Sequence, residues 1–206
     1  MTTRIIAFSE GVLRDRLARL SIEKILAFSA SCAEVLMPPY ERYAAAALLP
    51  VYERRLYRTT LDRIWSLAID ADSGLDDLKR LEQECLDAIP SEEEAWSHKE
   101  PYAEDAGAAV TFTVRVALSG DPQDAVWAAR RVYDALDHLV GKLVEPGVGR
   151  EVAILSHPLI QVEFARQLHA LERLDRVGTD DLKRIVVETR DDARAEGTRI
   201  FGMRGC

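Results

Sequence analysis

Cysteine is scarce in this chain of 206 residues, with Cys32, Cys85 and Cys206 odd in number and far apart. Neither a disulfide framework nor a metal-ligand spacing can be built from them, which fits a reducing, cytoplasmic setting. Histidine is scarce too, at four residues, and no Glu-x-x-His occurs. A helical di-iron site needs that motif from each of two helices, so neither a metal nor a cofactor is expected. Gly-x-Ser-x-Gly, Walker and Gly-x-Gly-x-x-Gly motifs are missing, and with them the usual signs of a nucleophile elbow or a phosphate loop. No catalytic residue is nominated. Long apolar runs are also lacking. None approaches the ~20 residues that span a bilayer. Near the start only Ile5 to Phe8 are apolar before charges resume, so neither a membrane span nor a signal peptide is expected.

Positive charge is the next deficit. The net charge is −8, concentrated in residues 70–105, where three Lys and Arg face thirteen acids. Nucleic acid demands a basic footprint and is therefore excluded as a partner. An acidic surface either aids solubility or steers a basic protein toward it. Nothing in the pattern argues for or against a homo-oligomer.

What the chain does have is helix punctuation. Ser9 and Ser21 stand where N-caps are needed, before 10–20 and 22–37. Pro38 and Pro39 are read as ending the second helix, and a third runs from there to Pro50. A helix over 57–71 carries Leu61, Ile64, Trp65 and Ala68 on one stripe. Asp72 or Ser73 opens the next, with Asp76 and Asp77 in its first turn, where acids complement the helix dipole. Residues 91–101 read as a loop with one helical turn, and 144–151 as a second loop. Asp121-Pro122 and His157-Pro158 start two further helices. Thr179 caps the last, and Gly197 is read as its stop.

One stretch breaks the pattern. "GAAVTFTVRVALSG", residues 107–120, alternates apolar and polar residues like a strand. A lone strand leaves its backbone groups unpaired, and no neighbouring run offers hairpin spacing. With helical spacing, residues 102–119 show a polar stripe of Glu104, Ala108, Thr111, Arg115 and Ser119, and little else is polar. A helix apolar around most of its circumference is a central one. The expected fold is therefore all-α: one domain over 1–206, eight or nine helices, a buried central helix near 102–118, and loose ends at 1–8 and 198–206.

An ordered series of segments adds a resemblance. "FSASCAEVLMPPYERYA", "LDRIWSLAI", "LEQECLDAIPSEEE", "YAEDAGAAVTFTVRVALSGDPQDAV" and "HPLIQVEFARQLHALERL" together resemble the bacterial family known as domain of unknown function 416, the YjaG-like proteins. The segments cover roughly residues 20–200, nearly the whole chain. The resemblance implies an all-α fold and, through genome association with histidine kinases, a role in signalling. It implies no chemistry. The chain departs from the family pattern at Ala103, where a proline would follow Tyr102, and in the loop "VEPGVGRE".

Two groups of candidate site residues follow. Tyr102, Glu104 and Asp105 stand at the start of the central helix. Turned inward, they would give a partly buried carboxyl with a raised pKa, as an acidic pocket or hydrolytic site needs; turned to the backbone, they merely satisfy free amides. Glu92, Glu93 and Glu94 flank Trp96, an aromatic that either anchors an interface or staples its own loop. Trp65 and Trp127 are read as core, as is Cys32. The leading expectation is a non-enzymatic cytoplasmic interaction module with an acidic docking surface for a basic protein. The alternatives are a small-molecule-binding or hydrolytic protein with an internal acidic pocket, and an immunity-type inhibitor of a basic toxin.

Overall fold

The longest helix runs straight through a proline pair. The computed structural model describes residues 5–70 and 77–202, and among them the secondary structure is entirely helical. The elements are α1 (Glu10–Leu17), α2 (Ile22–Ala46), α3 (Val51–Ile69), α4 (Leu78–Asp87), α5 (Glu92–Ser97), α6 (Ala103–Ser119), α7 (Pro122–Gly141), α8 (Arg150–Leu155), α9 (Pro158–Arg176) and α10 (Thr179–Phe201). None is long and apolar enough to cross a membrane. Residues 107–118 are helical, so burial overrides the modest propensity cost of their β-branched residues.

Pro38 and Pro39 lie inside α2 and do not end it. Each removes the amide that would serve the carbonyl four residues earlier, Glu34 and Val35, at a cost of ~3 kcal/mol or more in an isolated helix. Burial outweighs that cost. α2 is enclosed by α3, α6, α7, α9 and α10, and its residues from Ile25 to Met37 are all buried. The freed Val35 carbonyl abuts Gly197 of α10, where an added Cβ would lie 2.6 Å from the oxygen. Gly197 is therefore an interior contact of α10 and not its stop. The helix continues through it to Phe201.

α6 is the core helix that its apolar circumference predicts, packed on α2, α7, α4 and α3. Thr111 departs from the expected polar stripe: it is buried and donates to its own Gly107 carbonyl at 2.9 Å. Thr113 donates to Ala109 O at 2.8 Å, leaving its oxygen to accept from Ser29 of α2, also at 2.8 Å. Gly107 admits the Tyr57 hydroxyl, which would stand 2.6 Å from an added Cβ and donates to Cys85 O.

Charge is also buried. Glu34 of α2 has a fully buried side chain; it pairs with Arg58 of α3 and accepts from Trp65 Nε1 at 2.9 Å and Arg194 Nε of α10 at 2.9 Å. Burial alone would raise its pKa, but Arg58 and the hydrogen bonds from Arg58, Arg194 and Trp65 prevail and hold it below the usual value. Asp62 joins through Arg190 and Arg194, so three helices are tied by one carboxylate. A second buried acid, Glu163, is held bidentately by Arg166 at 2.7 Å on α9.

Residues next to both ends are tied to the body of the fold. Gln161 brackets Ile6, accepting from its amide and donating to its carbonyl at 2.8 Å each, and Phe8 stacks on Tyr133. At the other end Phe201 is buried, and its carbonyl accepts from Arg42 at 2.6 Å. Residues 1–4 and 203–206, with Cys206, lie outside the described residues, as does the helix start expected at Asp72 or Ser73 with Asp76. Asp77 is the N-cap of α4.

Candidate functional site

The acidic segment folds into a short helix because its first turn caps itself. Ser91 Oγ accepts from the Glu94 amide at 3.3 Å, while the Glu94 carboxylate accepts the Ser91 amide at 2.9 Å and hydroxyl at 2.8 Å. This reciprocal pair is the capping box. The Ser91 bonds also hold the Glu94 carboxyl below its usual range. Glu94 is thus engaged locally, while Glu92 and Glu93 face solvent. Ala95 is the buried residue of α5, and Lys99, at φ +60°, turns the chain out of it. Glu100 then clamps the junction through a bidentate pair with Arg42 of α2, at 2.5 and 2.8 Å.

Trp96 points outward, 43% exposed, yet it is not isolated. Lys142, at the C-cap of α7, sets its ammonium 4.4 Å from the Trp96 ring centroid and 5.7 Å from that of Tyr102. His138, one turn earlier on α7, lies 5.4 Å from Trp96 and 5.7 Å from Tyr102, edge-on to the latter. Burial, then the neighbouring Lys142, pushes the His138 pKa down.

Tyr102 is the buried N-cap residue of α6, its ring 5.5 Å from Phe201. Burial, with Asp105 and Glu100 nearby, pushes its hydroxyl up to about 12. Asp105 faces α7, 3.5 Å from Arg131, which also binds Asp134 at 2.7 Å. Burial raises the Asp105 carboxyl to about 7; Arg131 opposes the rise, and Asp134 and Glu104 add to it. Glu104 is half-buried beside it.

Of the seven residues singled out in the sequence, Trp96 and Tyr102 are brought together around Lys142. Glu92 and Glu93 rim α5, Glu94 is a cap, and Asp105 is turned toward Arg131. Lys142, His138 and Arg131 are not among the seven. Their spacing along α7 puts His138 and Lys142 on one face, but nothing in the sequence ties that face to Trp96. Trp127 also differs from expectation: it is 40% exposed on Phe112 and not core.

Two clefts open elsewhere. One of about 70 Å³ lies between residues 6–16 and α9, and one of about 310 Å³ at the α9–α10 turn holds His169, Arg173, Arg176 and Arg184. Neither is lined by Tyr102, Glu104 or Asp105. Among the described residues no three His, Cys, Asp or Glu side chains gather as a metal site would require.

Comparison with known proteins places this architecture. No curated protein matches the chain significantly. A crystal structure of a DUF416 family protein from Shewanella baltica OS155 is similar to it, with a TM-score of 0.71 at 16% sequence identity, over 87% of this chain and 91% of that one. At that identity the likeness shows the fold. The model of the family described as "Protein of unknown function (DUF416)" matches residues 13–203. With nearly its whole length matched, the chain belongs to the DUF416 family.

Proposed function

We propose that this protein is a non-enzymatic, cytoplasmic interaction module, and that its docking surface is the end of the bundle formed by α5 and the adjoining end of α7. The observation that carries this reading is Trp96, 43% exposed on a six-residue helix whose other outward residues include Glu92 and Glu93. A tryptophan left in solvent sacrifices apolar burial, and such residues are recurrent anchors of interfaces. The short helix is fixed by its capping box and by the Glu100–Arg42 clamp, so the anchor is held in place before any partner arrives. The surrounding acids favour a basic partner. A signalling role, which the family resemblance implies, is part of the proposal.

The test is affinity purification of the tagged protein from its native host, with mass spectrometry of what co-purifies. The partner should be recovered in stoichiometric amount with the parent chain. It should be lost from a Glu92→Gln, Glu93→Gln, Trp96→Ala variant that retains its helical circular dichroism. Glu94 is left intact because it caps the helix. Undiminished recovery by the variant would refute the reading.

A further inference from the structure

Trp96, Tyr102 and His138 come from three separate places in the chain, yet they wall a single seat, and an ammonium already sits in it. Lys142 Nζ lies 4.4 Å from one ring centroid and 5.7 Å from a second, with the imidazole at 5.4 and 5.7 Å from the same two rings. Aromatic faces attract a cation held within about 6 Å, and tryptophan does so most strongly. Tyr102, 8% exposed and backed by Phe201, forms the floor, while Trp96 forms an open wall. Glu92 lies within electrostatic reach of His138, so the rim carries negative charge as well.

Lys142 is a poorly secured occupant. Its residue is exposed, and its part in ending α7 is played by its backbone amide, which donates to Leu139 O at 3.3 Å. The ammonium can leave without disturbing the helix. The geometry points to a receptor for a lysine side chain: the Trp96–Tyr102–His138 box takes a lysine ammonium from a basic segment of a partner protein, which displaces Lys142. The seat is assigned to lysine because the cation it already holds is a compact ammonium, 4.4 Å from the Trp96 ring centroid. This inference rests on the docking surface proposed above and names what that surface grips. Lys142 is then an internal competitor, and the binding-competent state is the one in which it has swung out.

The probe is an acetylated, amidated tri-lysine peptide at physiological salt. Binding is followed through the backbone amide resonances of residues 92–102 and 138–142 in 1H–15N spectra, which every variant retains. Lys142→Met empties the seat while keeping a similar stem. It should tighten tri-lysine binding about fivefold, close to 1 kcal/mol of relieved competition. Adding Trp96→Leu to Lys142→Met should abolish that gain, which separates the box from the mere removal of a positive charge. No tightening in Lys142→Met, or tightening that survives Trp96→Leu, would overturn the inference. Glu92→Gln with Glu93→Gln keeps the two proposals distinguishable. If that pair weakens tri-lysine binding while Lys142→Met changes nothing, the acidic docking surface stands and the box falls. If the box behaves as expected and the acid pair has no effect, the receptor stands without electrostatic steering.

Discussion

Replacing Asp105 by asparagine should flatten the pH dependence of stability between pH 5 and 8. Its carboxyl titrates near 3.8 when free and near 7 in the folded protein, because burial beside α7 outweighs the attraction of Arg131. A carboxyl raised in this way stabilises the fold while protonated. That contribution is complete below about pH 3.8 and is lost as pH rises through about 7. At pH 5 the unfolded chain has already ionised and the native one has not, so most of the loss falls between pH 5 and 7. Two pH units at 1.36 kcal/mol each give about 2–3 kcal/mol. The other titrating groups, His138 included, are shared by both proteins and cancel in the comparison. The assay is urea unfolding of parent and Asp105→Asn at pH 5 and pH 8. The variant's stability relative to the parent should rise by about 2–3 kcal/mol from the lower to the higher pH. If that relative stability moves by less than about 0.5 kcal/mol, the carboxyl does not titrate in this window and the reasoning fails.

Gly197→Ala should destabilise the protein although alanine is the better helix former. The propensity gain of about 1 kcal/mol is opposed by a Cβ only 2.6 Å from a backbone oxygen that has nowhere to go, and a net loss of at least about 1 kcal/mol is expected in urea unfolding. A variant as stable as its parent would show that α2 and α10 can part without cost. Glu34→Ala should lose about 3–5 kcal/mol by the same measurement, because Arg58, Arg194 and the Trp65 indole are left without their common acceptor. Glu34→Gln should lose less, since it keeps an oxygen for them. A loss under about 1 kcal/mol in Glu34→Ala would mean that the arginines re-pair with Asp62 and Glu41.

Local signals in the sequence place the helix starts, but not every cap: Ser9 and Ser21 occupy the N-cap positions of α1 and α2 without a side-chain cap bond, and Gly178, not Thr179, is the N-cap of α10. Asp121 caps α7 through Gln123 N at 2.9 Å with Pro122 behind it, and His157 caps α9 through Leu159 N at 3.2 Å. Both follow from residues two positions apart. The larger errors lie where distant packing overrides local preference. Pro38 and Pro39 forbid a helix locally, but five surrounding helices make it the better solution, and no local pattern encodes those helices. Gly197 has the composition of a stop and the role of a spacer, because its reason for being glycine sits on α2. The site divides in the same way. Trp96 and its acids are legible because an aromatic in an acidic run is unusual in itself. The seat beside Trp96 is not legible, since His138 and Lys142 reach it only through the packing of α6 against α7.

The buried Glu34 carboxylate has a consequence for synthesis. Its partner Arg194 lies 160 residues further along the chain, and the Val35 carbonyl beside it waits for Gly197 of the same helix. At 5–20 residues per second a nascent chain leaves α2 without these partners for on the order of 10–30 s. During that interval the side of α2 that carries Glu34 and the Val35 carbonyl lacks its α10 cover. Arg58 and Trp65 can meet Glu34 early, but the set of groups around it and the Val35 carbonyl is complete only once α10 has been made.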